Sequence, residues 1–306
     1  MSFFPGKDPA PGNRADADAI EQLVIPRSSD IGGFRVQRAL PSVKRRLVGP
    51  FIFFDRMGPA RLEIGEALDV RPHPHIGLST VTYLFDGEIK HRDSLGTELV
   101  IRPGDVNLMT AGRGIVHSER TPEDMRDHPM NVSGLQTWLA LPDDKEEMPP
   151  AFEHRDAASL PEFDGDGVKG RLIIGSFHGL ASPVTQYAET LYVDLHLDAG
   201  CSFPLEDVAE ERAVYILSGE LGVGGETFES NRLLVFRPHD RLTLKAGAAG
   251  CHLMIFGGAS LSSRRHIWWN FVSSSKERIE QAKEEWKTGR FDIVPGDEEE
   301  FVPLPE

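Results

Sequence analysis

Cysteine is nearly missing from this chain: among 306 residues only Cys201 and Cys251 carry a thiol. Two thiols cannot make the disulfide framework of a small secreted fold, so a reducing compartment is expected. The opening stretch MSFFPGKDPAPG has neither the basic flank nor the apolar run of a secretory leader. No apolar stretch approaches the length of a membrane span. The expected location is therefore the cytoplasm, or the nucleus if the source is a eukaryote, with no membrane role. Without export, Asn131-Val132-Ser133 is a chance glycosylation pattern. Positive charge is scarce too. There are 33 Lys and Arg against 48 Asp and Glu, a formal net charge of −15. Phosphate backbones are held by clustered cations, and the one local cluster, Lys44-Arg45-Arg46, reads as a solvated strand edge. Direct nucleic-acid binding is not expected.

Familiar catalytic motifs are absent as well. Gly222-Val223-Gly224-Gly225 lacks the strand–helix setting of a nucleotide loop and reads as a hairpin turn. No serine sits in a nucleophile elbow, and neither cysteine has an activating neighbour in sequence.

What the chain does have is a β pattern. The first 30 or so residues are polar and read as an arm or lid with one short helix, Ala15–Leu23. From Gly33 onward come short runs rich in β-branched and aromatic residues, divided by Gly, Pro and Asp. They include Phe34–Val36, Phe51–Phe54, Ser79–Phe85, Glu98–Ile101 and Leu135–Leu141. A polar, proline-containing stretch, Pro142–Gly170, interrupts them, and strands resume near Arg171–Ile174. Ser274-Ser275-Lys276-Glu277 then has capping-box spacing, with Ile279, Ala282 and Trp286 on one helical face and Gly289 as the stop. That amphipathic helix is expected to dock on a barrel exterior. The acidic end, Gly296–Phe301, reads as a solvated tail.

An internal repeat organises these strands. Tyr83-Leu-Phe-Asp-Gly-Glu-Ile89 matches Tyr215-Ile-Leu-Ser-Gly-Glu-Leu221, Arg102-Pro-Gly-Asp105 matches Arg237-Pro-His-Asp240, and Ala-Gly follows each at the same distance. A period of domain size implies two similar all-β domains in tandem.

Candidate chemistry lies in the first copy. In a strand, residues i and i+2 face the same way, so His73 and His75 of RPHPHIGLST would share a face, with Pro74 turned away. His117-Ser118-Glu119 repeats the spacing with a carboxylate as its second member. Two such pairs on facing strands would bring three imidazoles and one carboxylate together, a ligand set for a borderline divalent metal. The competing explanation, a His- and Pro-rich surface loop, requires three histidines to be placed for unrelated reasons. Counting through Gly87 and Gly219 sets Leu205 and Asp207 opposite His73 and His75. Counting through the R-P-x-D turn sets His252 and Met254 opposite His117 and Glu119. The second copy therefore lacks the ligand set, and His252 is expected to be a hydrogen-bonded core residue.

The motifs GPFIFFDRMGP (49–59), RPHPHIGLSTVTYL (71–84), HRDSLG (91–96), PGDVNLMTAGRGIVHSE (103–119) and GLQTWLALP (134–142) resemble those of the pirin family. The resemblance runs from about Gly33 to Phe271 and is more specific in its first half. It implies an all-β fold of two tandem, jelly-roll-like cupin barrels with a C-terminal amphipathic helix. The expected layout is an arm at 1–32, a metal-binding barrel at 33–141, a linker at 142–170, a second barrel without the ligands at 171–272, and the helix and acidic tail at 273–306. It also implies one Fe(II) held by His73, His75, His117 and Glu119, with Mn, Ni, Co, Cu or Zn as other ions the site takes. Many cupins place a ligand glutamate soon after the HxH pair, but Ser79 or Thr80 stands there, which leaves Glu119 to supply the carboxylate.

Pirins resemble quercetin 2,3-dioxygenases, in which a flavonol's 3-hydroxyl is deprotonated, dioxygen attacks the central ring, and carbon monoxide is lost. The expected partners are then a small aromatic substrate and O2, on a monomer, with Glu119 as catalytic base as well as a weakly held ligand. Phe51, Phe53 and Gln136 are candidate pocket residues, although ordinary core packing accounts for the two phenylalanines more simply. His91 is either a hydrogen-bonding neighbour of the site or a hairpin residue. The other expectation is a regulatory protein whose iron controls affinity for a protein partner. A wide mouth over the metal would favour catalysis, and a sealed metal under an acidic surface would favour switching.

Overall fold

The β-branched and aromatic runs form the strands Arg35–Leu40, Phe51–Leu62, Leu78–Asp86, Glu98–Ile101, Met130–Ala140 and Val168–Ile174 in the computed structural model, which describes residues 19–31 and 34–305. Everything regular in those residues is β except the helix Lys276–Lys287 and the short 3-10 turns Glu123–Met125 and Ala157–Ser159. No helix among the described residues is long and apolar enough to cross a membrane.

The chain divides into two compact units. One is built from Ser28–Arg38, Ile52–Ala157 and Leu261–Glu306. Its larger sheet orders the strands Ala151–Arg155, Val106–Thr110, Leu78–Asp86, Met130–Ala140, Phe51–Leu62, Arg35–Leu40 and Arg27–Asp30. Its smaller sheet orders Asp69–His75, Ile115–Arg120, Ile89–Asp93 and Glu98–Ile101. Val36, Met57, Leu84, Ile89, Ile101 and Val132 come from both sheets and pack into one buried cluster. Each such side chain contributes roughly 1.5–3 kcal/mol by leaving water, which is what holds the sheets face to face.

The other unit takes Ala39–Phe51 and Ala158–Ser260 with the strand Ile20–Val24. Its main sheet runs Ile20–Val24, Arg232–Phe236, Glu211–Val223, Leu242–Gly258, Thr190–Leu197, Val168–Ile174 and Glu162–Gly165. Leu191, Val193, Leu195, Phe203, Leu205, Leu244, Leu253 and Ile255 line its apolar interior.

The repeat read from the sequence has a structural cause at its shared glycine. Gly87 and Gly219 adopt φ of +84° and +77°. A Cβ would lie 2.2 Å from the Asn131 carbonyl oxygen at Gly87 and 2.1 Å from that of Gly250 at Gly219. Both positions need left-handed backbone and a neighbouring strand pressed close, and only glycine offers both.

Several expectations are corrected. Residues 20–23 of the expected helix lie in the strand Ile20–Val24, which pairs antiparallel with Arg232–Phe236; residues 15–18 lie outside the described residues. An open sheet edge supplies hydrogen bonds to a segment too short to hold a helix alone. The 142–170 segment carries structure: Ala151–Arg155 pairs with Val106–Thr110, and Glu162–Gly165 pairs with Val168–Ile174. Its start is pinned by the fully buried Arg265, which reaches the Leu141 carbonyl at 2.7 Å and Asp143 at 2.6 Å. The helix is capped one residue later than its motif suggested. Ser275 Oγ accepts from the Arg278 amide at 3.2 Å, while Ser274 donates to Glu146 at 2.9 Å. Ile279 and Ala282 bury against Ile76 and Phe271, with Trp286 beside them, and Gly289 ends the helix at φ +66°.

The acidic end does not dangle in solvent. Arg120 Nε and Nη2 each donate to Asp297 at 2.7 Å, Nη2 also reaches Glu300 at 2.8 Å, and the Val302 amide donates to the Pro72 carbonyl at 2.8 Å. A half-buried cation pairs with two of the carboxylates, which net charge alone could not indicate.

Candidate metal centre

The strands Asp69–His75 and Ile115–Arg120 run antiparallel, with His117 opposite His73 and Ile115 opposite His75. Alternation turns His73, His75 and His117 to one face. Their ring centroids lie 4.3 Å apart for His73 and His117 and 5.0 Å apart for the other two pairs. One nitrogen of each lies within 4.8 Å of the other two, and all three residues are buried. His73 Nδ1 faces the Arg71 carbonyl at 2.8 Å. A carbonyl only accepts, so that nitrogen carries the proton and Nε2 keeps a free lone pair. The Nε2 atoms of His75 and His117 are 3.1 Å apart. Two ligands at right angles, each about 2.1 Å from one ion, would sit about 3.0 Å apart.

Burial also fixes the charge state. It lowers the His73 pKa to about 4, against an opposing pull from the Arg71 carbonyl. Burial, then the neighbouring imidazoles, holds His75 and His117 well below the usual histidine range. Three neutral imidazoles with converging nitrogens fit a divalent transition ion.

Glu119 stands apart from this trio. The pairing with Asp69–His75 shifts register between His117 and Glu119, which lies opposite Val70. Its carboxylate is not within the mutual 4.8 Å of the three imidazole nitrogens but is engaged by Gln136, whose Nε2 donates at 3.1 and 3.3 Å. Thr82 Oγ1 donates to Gln136 Oε1 at 2.7 Å and lies 3.4 Å from Glu119. Its one proton serves the shorter contact, so Thr82 sets the amide orientation that points Nε2 at Glu119. Burial raises the Glu119 pKa; His91, Gln136 and Thr82 hold it down in part.

A cavity of about 440 Å³ opens on His73, His75, Glu119 and Gln136. Phe53 and Trp138 form its apolar wall, stacked at 3.9 Å and 11°. The Trp138 ring meets His75 edge-on at 5.1 Å. Arg38 lies 4.4 Å over Phe53 and pairs with Asp55 through two bonds of 2.8 and 2.7 Å. Of the expected pocket residues, Gln136 and Phe53 are present. Phe51 instead packs on Tyr192 and Phe256 in the other unit. His91 lies on the hairpin strand Ile89–Asp93, bonds Asp93 at 3.0 Å, and has its ring 5.4 Å from His117. Trp138, Thr82, Arg38, Asp55, Trp269 and Asn270 were missed. Trp138 was legible, since it is two residues past Gln136 and so faces the same way.

The second unit shows what its matching positions became. There Leu242, Thr243 and Leu244 pair with Leu205, Pro204 and Phe203, as Ile115, Val116 and His117 pair with His75, Pro74 and His73. His-Pro-His is thus matched by Phe203-Pro204-Leu205, and His117 by Leu244 rather than His252. Counting residues from the R-P-x-D turn slipped because that turn precedes the strand Val106–Thr110 in the first unit but follows Arg232–Phe236, the strand paired in the same way, in the second. Nor is His252 a core residue: Cys251, Leu253 and Ile255 face the interior, and His252 lies on the opposite face, bonded to Asp194 at 2.6 Å.

Two jelly-roll-like β units, one with a buried imidazole trio under an apolar cavity, define a bicupin. Comparison with known proteins makes the family specific. The Pirin family matches residues 33–139, and the Pirin C-terminal cupin domain matches residues 192–292. A pirin-like protein of Caulobacter vibrioides is 47% identical over 290 residues, covering 94% of this chain and 100% of its own length. The crystal structure of a quercetin 2,3-dioxygenase from Acinetobacter baumannii superposes with a TM-score of 0.86 at 33% identity, covering 93% of this chain and 95% of that one. Bacterial pirin YhhW of Escherichia coli, solved in complex with nickel(II), shares the fold at a TM-score of 0.61 and 16% identity, covering 78% of this chain and 99% of that one. The chain belongs to the pirin family and has its N- and C-terminal cupin domains.

Proposed function

We propose that this pirin is a metal-dependent dioxygenase that opens a flavonol-type ring, with His73, His75, His117 and Glu119 holding Fe(II). The barrel at 33–141 would carry the reaction and the barrel at 171–272 would serve as scaffold. The observation that carries this reading is the 440 Å³ cavity lined by His73 and His75, by the stacked Phe53 and Trp138, and by the Glu119 carboxylate. Iron, when bound, supplies a chelation point for the substrate's oxygens and a route to react dioxygen with the ring. The chain supplies the rest. Phe53 and Trp138 offer a flat apolar surface to a planar ring system. Glu119 accepts the proton of the substrate hydroxyl; its raised pKa makes it a better base than an exposed carboxylate. Gln136, oriented by Thr82, keeps that carboxylate facing the cavity.

The test is aerobic turnover of quercetin by iron-loaded protein, following loss of flavonol absorbance and release of carbon monoxide, beside the Glu119→Ala variant. Turnover that falls at least about 100-fold in the variant supports the base role. No turnover by fully loaded wild type rejects the flavonol reading and favours an iron-dependent partner-binding protein.

A further inference from the structure

We propose that Asp194, His196 and His252 form a second binding site for a divalent transition-metal ion, on the outer face of the second cupin sheet. Asp194 and His196 are two residues apart on the strand Thr190–Leu197 and so share a face. His252, on the strand Leu242–Gly258, sits directly opposite His196. This is the recipe of the imidazole trio, an i, i+2 pair plus a cross-strand residue, built on the solvent side of a sheet. It does not descend from the barrel site, whose positions in this unit hold Phe203, Leu205 and Leu244.

The geometry converges on one oxygen. His252 Nε2 lies 2.6 Å and His196 Nε2 3.7 Å from Asp194 Oδ1. The two imidazoles stack at 3.8 Å and 17°. One donor atom from each of the three residues falls within 4.8 Å of the other two. Ligands at about 2.1 Å around a tetrahedral ion stand about 3.4 Å apart, so seating one widens the His252–Asp194 contact and splays the stacked rings until both lone pairs meet the ion. On binding, the ion takes the place of the proton between His252 and Asp194, and that proton moves to Nδ1 or to solvent. Two nitrogens and one carboxylate oxygen suit zinc, nickel or copper better than magnesium or calcium. The side chain of His196 is 55% exposed, against 16% for His252 and 10% for Asp194, so the fourth position faces solvent.

Charges around the site set its strength. Lys169 and Arg171 lie opposite His196 and Asp194 on the adjoining strand, and Arg171 is paired with Glu162. Lys169 therefore opposes the incoming cation, which provides a test of opposite sign.

The experiment titrates Zn(II) into the full-length chain by calorimetry, with metal content measured after gel filtration. Wild type is expected to take up one ion beyond that lost in His117→Ala. His196→Ala, a change at a largely exposed side chain, and Asp194→Asn are each expected to weaken that ion at least tenfold with the fold intact by circular dichroism. Lys169→Gln is expected to tighten it several-fold. Wild type and His117→Ala differing by the whole of the bound zinc, or His196→Ala retaining the second ion at unchanged affinity, would overturn the proposal.

Discussion

Gln136 holds both oxygens of Glu119, at 3.1 and 3.3 Å, and is itself oriented by Thr82 at 2.7 Å. The carboxylate proposed to act as base is thus aimed by a residue outside the imidazole trio. Gln136→Leu should leave bound iron unchanged and lower flavonol turnover about 10–100-fold, the usual cost of losing a supporting hydrogen bond at a metal site. Thr82→Val should lower it less, since the amide would still reach Glu119 in one of two orientations. Iron analysis beside turnover separates the two effects.

The second barrel suggests how to empty the first. Replacing His73, His75 and His117 together by Phe, Leu and Leu copies the side chains at the matching positions 203, 205 and 244. The variant should bind no ion at the barrel site yet fold, with stability within about 3 kcal/mol of metal-free wild type, the range of imperfect repacking. Denaturant melts and metal analysis provide the check.

Acid should weaken the metal-free fold in a defined window. His73 is neutral when folded down to about pH 4 but takes a proton near 6.5 when unfolded. Between these values the unfolded chain binds more protons, so stability falls as pH falls from 6.5 toward 4. His75 and His117, also lowered, steepen the loss. Melting temperature should fall as pH is lowered through this window for wild type and change less for the apolar triple variant. Bound ion should likewise be released below about pH 6, as protons compete for the same nitrogens.

The acidic tail should behave as a strap. Arg120→Ala removes two charge-assisted bonds to Asp297 and one to Glu300. The expected result is faster amide exchange over residues 296–302 and a loss of about 1–3 kcal/mol. Unchanged exchange would mean that Val302 and its apolar neighbours hold the segment without the ion pair.

At the helix start, Ser275→Ala should cost about 1 kcal/mol through the cap. Ser274→Ala should act instead through Glu146, which Ser274 contacts by both its amide and its hydroxyl. A double-mutant cycle with Glu146→Gln should show coupling for Ser274 and none for Ser275.

The strands, the repeat and the three histidines were legible because each rests on local spacing: period-two alternation, a glycine that nothing else can replace, and an i, i+2 pair. What counting could not reach depended on register. The slip that set His252 opposite His117 came from an R-P-x-D turn that precedes its strand in one unit and follows it in the other, and pairing in the sheet exposes it, since Leu244 faces Phe203 as His117 faces His73. The strand at Ile20–Val24 and the ion pair of Arg120 with Asp297 were hidden for a similar reason. Their partners lie 177 positions away for Arg120 and on the strand Arg232–Phe236 for the N-terminal segment.

By itself, then, the order of residues determined which segments extend, which side chains share a face, and that three imidazoles belong to one strand pair. Tertiary structure alone decided that Glu119 is held by Gln136, that Phe53 lines the cavity while Phe51 does not, and that His252 lies outside its barrel. Alternation along a strand is a local property of the backbone. Which strands meet, and on which face of the sheet a side chain emerges, depends on hydrogen bonds and apolar burial between segments far apart in the chain.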